Sequence, residues 1–314
     1  MKAVVIHRYG SAEVLQYEDV APPKIKPDEL LVKVHASCIN PVDWKIRKGM
    51  LRIVTGNKFP MVLGLDLAGE VVEVGPNVTR FTIGDSIYGT LRPPNGGAYA
   101  EFAAVPESCA AIKPANMSYT EAASVPIAGL TALQGLRDKG NIKSGQTVLI
   151  NGASGGVGIF AVQIAKILGA EVTGVCSTKN LEFVKSLGAD RVIDYTQQDF
   201  TQETVQYDII FDVVGKRSFF ACKKVLKSSG IYVTTLPTPE NILPGIVTTI
   251  IPGKKAKLVL ASANARDLVY LKELIEAGKL RTVIDRTYSL QDLAAAHTYS
   301  ESERAVGKIA IAVI

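Results

Sequence analysis

Eleven consecutive residues near the middle of the chain carry the clearest chemistry: Val148-Leu149-Ile150-Asn151-Gly152-Ala153-Ser154-Gly155-Gly156-Val157-Gly158. Gly152, Gly155 and Gly158 recur every third residue, after a run that suits a buried strand and before an apolar stretch, 159–168, that suits a helix. A turn between two such elements is tight, and residues without a Cβ let the backbone approach a pyrophosphate. The N-terminus of the following helix offers free N–H groups and a partial positive charge to phosphate oxygens. The spacing predicts a dinucleotide site built from Gly152, Ser154, Gly155, Gly156, Val157 and Gly158. A structural turn that only packs helix on strand is the other reading of the same glycines.

The next strand bears on which dinucleotide. Its end reads Val175-Cys176-Ser177-Thr178-Lys179-Asn180. An NAD site usually has Asp or Glu there, holding the ribose hydroxyls. Here two hydroxyls and a cation stand instead, a set that suits an extra 2′-phosphate. NADPH is therefore the expected cofactor, with Ser177, Thr178 and Lys179 at its 2′-phosphate. Ser177 also suits a helix N-cap, and Lys179 a solvated surface. Tyr195, just past the third strand, can flank the adenine or the 2′-phosphate, or simply edge the core.

Elements that would position these groups follow from periodicity. Residues 1–7, 29–37, 67–75, 86–88 and 96–105 read as short strands and turns, with little helix, which suggests a small barrel-like domain. Residues 119–137 read as one Ala/Leu-rich helix. From residue 147 strands (147–150, 171–176, 191–194, 208–213, 230–235, 257–261) alternate with helices (156–168, 180–187, 218–226). That alternation means βαβ units and a parallel sheet. The tail reads as strand, helix (290–299) and final strand (307–313), and such a tail can return to the first domain. Residues 238–253 read as a long loop or short-helix region, with core packing preferred over a pocket lining or a dimer contact.

Composition narrows the function classes. The chain has 314 residues, 47% hydrophobic and 21% charged, as in a globular protein of about two domains. A net charge of +5 comes without a dense basic block; Lys254, Lys255 and Lys257 are the nearest thing to one, which argues against nucleic acid. No apolar run reaches the roughly 18 residues of a membrane span. The first apolar run, 1–6, is too short for the core of a signal peptide, so the cytoplasm is expected. Four cysteines (Cys38, Cys109, Cys176, Cys222) stand far apart, and His7, His35 and His297 stand singly, so no metal site is expected.

The chain resembles the medium-chain dehydrogenase/reductase superfamily along essentially its whole length. The matching stretches are Gly64-Leu65-Asp66-Leu67-Ala68-Gly69-Glu70-Val71, Val74-Gly75, Gly84-Asp85, Gly129-Leu130-Thr131-Ala132, the glycine turn and Leu187-Gly188-Ala189-Asp190. Asn40-Pro41-Val42-Asp43-Trp44-Lys45 and Gly307-Lys308 resemble its zinc-independent quinone/enone oxidoreductase branch. The resemblance implies an α/β fold: a Rossmann doubly wound parallel sheet (123–262) plus a GroES-like β-rich catalytic domain (1–122 and 263–314). It also implies a cleft between the two, with the nicotinamide at its floor. Where zinc-dependent members place their metal ligands, this chain has Asn40, Leu65-Asp66 and Ile127, and the four-cysteine lobe is missing. Leucine and isoleucine have no lone pair to give, so zinc is not expected.

The resemblance then implies reduction of enones or quinones by NADPH, a small-molecule substrate, and a homodimer, for which an open sheet edge at 257–261 suits pairing. In an enone, hydride goes to the β-carbon and charge builds on the carbonyl oxygen, where a donor lowers the barrier. Lys45 is the first candidate for that donor; the enone branch has lysine here where several quinone oxidoreductases have tyrosine. A contact to cofactor or to solvent is its other reading. Asn40 can orient the nicotinamide side or the substrate, or cap a turn before Pro41; Asp43, in the same loop, can fix Lys45, a cofactor ribose or a structural ion pair. Trp44 is expected to pack. Thr131, by likeness to the family, lies near the nicotinamide. Val213 and Val214 end the fourth strand, Leu236 ends the fifth, and Lys308 is placed near the cofactor or on the surface. Quinone reduction is the alternative function, and NADPH binding without turnover the alternative of another class.

Overall fold

The computed structural model describes residues 1–93 and 96–314. The chain forms two compact units: Met1–Ala128 with Ala263–Gly278 and Thr282–Ile314, and Gly129–Ser262 with Lys279–Arg281.

The first unit begins with strands β1 (Lys2–Ile6), β2 (Gln16–Asp19) and β3 (Glu29–Ile39). Helices α1 (Pro41–Arg47) and α2 (Arg52–Thr55) follow, then β4 (Met61–Val62), β5 (Asp66–Val74), β6 (Ser86–Thr90), β7 (Phe102–Pro106), β8 (Ala110–Ile112) and helix α3 (Tyr119–Ala123). β7 buries every second residue, as a strand with one covered face must. The expected loop after Ile39 is a helix instead. Asn40 keeps an extended backbone, Pro41 takes the first helical position, and the Asn40 N–H donates to Asp43 Oδ2 at 2.7 Å.

The expected single helix over 119–137 is three pieces: α3, α4 (Pro126–Gln134) and a π-helical turn over Gly135–Lys139. Pro126 has no N–H to continue a ladder, and it disfavours a helical Val125 before it. The second unit then alternates as β9 (Thr147–Asn151), α5 (Gly158–Ile167), β10 (Glu171–Cys176), α6 (Leu181–Ser186), β11 (Arg191–Asp194), β12 (Tyr207–Asp212), α7 (Phe219–Cys222), β13 (Leu226–Thr234), α8 (Pro239–Ile250) and β14 (Lys255–Leu258). Its six strands are parallel in the order β11-β10-β9-β12-β13-β14, a doubly wound sheet that reverses direction between β9 and β12. Val148, Leu149 and Ile150 in β9 are fully buried, as a central parallel strand requires. α5 is apolar all round and buried from Gly158 to Ala165; its one polar side chain there, Gln163, both accepts from the Arg281 N–H and donates to the Arg281 carbonyl, each at 2.9 Å.

The region 238–253 departs most from expectation. It is a regular helix, and its aliphatic face points outward: Ile246 is 62% and Ile250 84% exposed, while only Asn241 and Pro244 are buried. Thr238 precedes Pro239, which suits the first helical position, and the Thr248 hydroxyl accepts from the Ala256 N–H at 2.9 Å, tying α8 to β14.

The chain then re-enters the first unit with α9 (Ala265–Glu276), β15 (Ile284–Ser289), α10 (Leu293–Glu301) and β16 (Lys308–Ala312). α9 was not expected, although Asn264 caps it by accepting from the Asp267 N–H and Leu268, Leu271 and Ile275 recur at helical spacing on its buried side. As expected, the tail returns: β16 pairs antiparallel with β3. The first unit holds a three-stranded sheet, β2-β1-β4, and a seven-stranded one, β15-β16-β3-β5-β6-β8 with β7 also on β3. Cores around Leu30, Val32, Leu67 and Ile87, and around Ile6, Tyr99, Leu293 and Ile311, lie within this unit.

Candidate functional site

In the second unit the glycine turn joins β9 to α5. Gly152 has φ +89°, and a Cβ on it would sit 2.5 Å from Val214 Cγ2. A Cβ on Gly158 would sit 2.1 Å from the Gly152 carbonyl oxygen, a backbone atom that cannot step aside. The turn is therefore closed to side chains on its packed side, and α5 starts directly beneath it. Ser154, Gly155, Gly156 and Val157 are half-buried around it. These features fit a pyrophosphate cradle.

Two side chains that sequence reading missed hold the rim together. Asn180, buried, donates to Ser154 Oγ at 3.1 Å and to Ser177 Oγ at 3.4 Å, which joins the glycine turn to the end of β10. Asp212, buried at the end of β12, accepts from Asn151 Nδ2, the Val214 and Gly215 N–H groups and the Tyr232 hydroxyl, at 2.8–3.0 Å. One carboxylate thus sets the ends of β9, β12 and β13, and with them Val213 and Val214. Leu236 is less free than expected: its carbonyl accepts from the Thr238 N–H and Asn241 Nδ2. Thr131 is buried in α4. At the β10 end, Ser177 is half-buried, Thr178 and Lys179 are exposed, and Tyr195 is 61% exposed. A carboxylate is present there after all. It comes from the neighbouring strand, as Asp194, whose Oδ2 accepts from the Thr178 hydroxyl at 2.5 Å.

The first unit gathers a buried polar cluster. β3, β5 and β16 bring it together: Cys38 stands opposite Asp66, and Ile309 opposite Ile39. Asn40 Nδ2 donates to Asp66 Oδ2 at 2.9 Å, and Lys308 Nζ donates to Asn40 Oδ1 at 2.8 Å. The Ile127 N–H donates to Asp66 Oδ1 at 3.1 Å. Lys308 is 3% exposed, so it is no surface charge. Burial raises the Asp66 carboxyl above its usual range, opposed chiefly by the Lys308 cation. Burial also pushes the Cys38 thiol up to about 11.

Asp43 does not fix Lys45. Its Oδ2 accepts from the Asn40 N–H and from the Tyr99 hydroxyl at 3.0 Å, and its buried Oδ1 has no partner among the described residues. Burial raises its carboxyl to about 7. Tyr99, the residue it does hold, was not anticipated. Lys45, on α1, is half-buried, with its ammonium 5.4 Å from the centroid of the Trp44 ring. Desolvation lowers its pKa, and Glu303 opposes that shift.

Residues 26–115 match the family described as alcohol dehydrogenase GroES-like domain, and residues 187–311 the family described as zinc-binding dehydrogenase. The 2-methylene-furan-3-one reductase of Solanum lycopersicum is 39% identical, covering 99% of this chain and 79% of that protein. The chloroplast envelope quinone oxidoreductase homolog of Arabidopsis thaliana is 37% identical, covering 99% and 98%. The solved quinone oxidoreductase from Coxiella burnetii superposes with a TM-score of 0.92 at 33% identity, covering 100% and 99%.

One family description names zinc, and the residues here do not fit that ion. Of the positions the likeness aligns with zinc ligands, Leu65 and Ile127 offer no side-chain lone pair, and Asp66 already accepts from Asn40 and the Ile127 N–H. The Lys308 ammonium, bonded to Asn40, sits where a second cation would be repelled. Among the described residues no three His, Cys, Asp or Glu side chains converge. Matches over nearly the whole chain, a doubly wound parallel sheet and a separate β-rich unit together place the chain in the medium-chain dehydrogenase/reductase superfamily, in its quinone/enone oxidoreductase branch.

Proposed function

We propose that the chain is an NADPH-dependent reductase of the carbon–carbon double bond of α,β-unsaturated ketones, working without a metal. The observation that carries this reading is Lys45, a half-buried ammonium whose partial desolvation strengthens any hydrogen bond it gives. The 39%-identical relative is named for a furanone with a conjugated methylene group, which is such a ketone.

Gly152, Ser154, Gly155, Gly156, Val157 and Gly158 would hold the pyrophosphate on the α5 N-terminus. Ser177, Lys179 and Tyr195 would take the 2′-phosphate, and Thr131, Val213, Val214 and Leu236 would line the nicotinamide half. When bound, NADPH would supply the hydride to the substrate β-carbon, and the α-carbon of the resulting enolate would take a proton from a side chain or water. Lys45 donates to the carbonyl oxygen as charge grows there. Asn40 is held by Asp66 and Lys308, so its amide is fixed in one orientation and serves to position. Asp43 acts through Asn40 and Tyr99, as a positioning residue.

Quinone reduction is the second reading, favoured by the names of the Arabidopsis relative and the Coxiella structure. NADPH oxidation measured against matched enones and quinones separates the two. Turnover with enones and formation of the saturated ketone supports the proposal; turnover with quinones alone selects the second reading. Tight NADPH binding with no oxidation by either class would leave a binding protein without turnover.

The proposal includes a homodimer. β14 is an edge strand, and the aliphatic face of α8 beside it is exposed. A cytoplasmic location is part of the same reading: all four cysteines are free thiols, as in a reducing compartment.

A further inference from the structure

The end of β10 was expected to be free of acid, yet β11 delivers one beside it. The two strands are parallel neighbours with Cys176 opposite Asp194, so the segments that follow them leave the sheet side by side. The Thr178 hydroxyl donates to Asp194 Oδ2 at 2.5 Å. Asp194 Oδ1 accepts from the Thr196 N–H at 2.9 Å and from its hydroxyl at 2.7 Å. The Thr178 bond holds the Asp194 carboxyl below its usual range, so it is ionised at neutral pH.

A hydroxyl has one proton. Thr178 gives its own to Asp194 and presents only lone pairs to anything else. A 2′-phosphate brings only acceptor oxygens and a charge near −2, so it finds no donor in Thr178 and a like charge behind it. A 2′-hydroxyl meets neither obstacle, since it can donate to the same lone pairs. Lys179 still attracts the phosphate, and the two opposed charges partly cancel.

We propose that Asp194 is a specificity-determining residue: it weakens the preference for the 2′-phosphorylated dinucleotide, so that NADH binds within about ten-fold of NADPH. This rests on the dinucleotide reading of the glycine turn. Asparagine is the informative replacement. Its Oδ1 keeps both Thr196 bonds, while its amide removes the charge and frees the Thr178 proton.

The test is calorimetric titration of NADPH and NADH into the wild type, Asp194→Asn and Thr178→Ala. Wild-type affinities are expected within about ten-fold of each other. Asp194→Asn should tighten NADPH by about five-fold, less at high salt, with NADH changed less than about two-fold. Thr178→Ala removes the lone pairs offered to a 2′-hydroxyl and should weaken NADH more than NADPH, shifting the ratio toward NADPH by about two- to five-fold. A wild-type preference for NADPH above about 100-fold overturns the proposal and leaves the cofactor reading intact. So does an unchanged or weakened NADPH affinity in Asp194→Asn. Absence of binding by either nucleotide would overturn the cofactor reading itself, and this inference with it.

Discussion

Lys45 and Asp43 stand two residues apart on α1 in different surroundings. Lys45 is half-buried, and its contact to the Trp44 ring leaves ammonium protons for a carbonyl oxygen. Lys45→Ala should lower kcat on an enone by about 10²–10³-fold, the loss typical of one oxyanion donor, with NADPH affinity within about two-fold. A fall in affinity alone would make Lys45 a binding residue. Asp43 is buried, with its carboxyl raised to about 7. The folded chain keeps that proton where the unfolded chain, with a pKa near 4, has released it. Stability from this group is therefore present below about pH 4 and is lost as pH rises through about 7. Asp43→Asn removes the titration, so its stability relative to wild type should improve between about pH 4 and pH 7 and stay level above that, read as urea midpoints. Parallel profiles would mean that Asp43 ionises in its ordinary range. Of these residues, spacing singled out the glycines, and the family resemblance singled out Lys45. Neither could show that Asp43 faces Tyr99, 56 residues away, or that Asp194 reaches Thr178, because each contact joins segments that only the tertiary fold brings together.

At the scale of elements, the strand–turn–helix around Gly158 is the best-determined part of the site. A Cβ there meets the Gly152 carbonyl oxygen at 2.1 Å. Gly158→Ala should destabilise the chain by about 1–3 kcal/mol and abolish NADPH binding, measured by denaturation and titration. Full binding would show that the turn has room to adjust and does not cradle the pyrophosphate. α8 supports a different prediction. Ile246→Glu with Ile250→Glu puts charge on its exposed aliphatic face. If that face is covered by a second copy, sedimentation should show monomers while Tm changes little. A dimer that persists would remove α8 from the interface. The parallel sheet was legible because strands and helices alternate at regular length. α8 was left between loop and short helix by Pro239, Pro244 and Gly245, and α1 was obscured by Pro41, which in fact opens a helix. The outward aliphatic face of α8 could not be read, since periodicity gives a face without saying what covers it.

Over the whole chain, the distribution of buried polar groups separates chemistry from support. All four cysteines are buried, and burial pushes Cys176 to about 11 and Cys222 to about 12. Burial shields all four from solvent, so a thiol reagent should label the native chain slowly and all four cysteines after unfolding. Rapid labelling of one thiol in the native chain would reveal an exposed, activated cysteine. The division into a β-rich and a parallel unit was legible from the change in strand and helix patterning along the chain. The polar cluster of Asn40, Asp66 and Lys308 was not, because its members come from β5, β16 and the residue after β3, and burial makes them a unit.

The central claim is hydride delivery to the β-carbon of an enone. It is tested most directly by incubating the enzyme with NADPH deuterated at the nicotinamide C4 and an α,β-unsaturated ketone, then locating the label by NMR and mass spectrometry. The expected result is a saturated ketone carrying one deuterium at its β-carbon. A product labelled at the carbonyl carbon as an alcohol, or oxidation of NADPH by quinones with no saturated ketone formed, would contradict it.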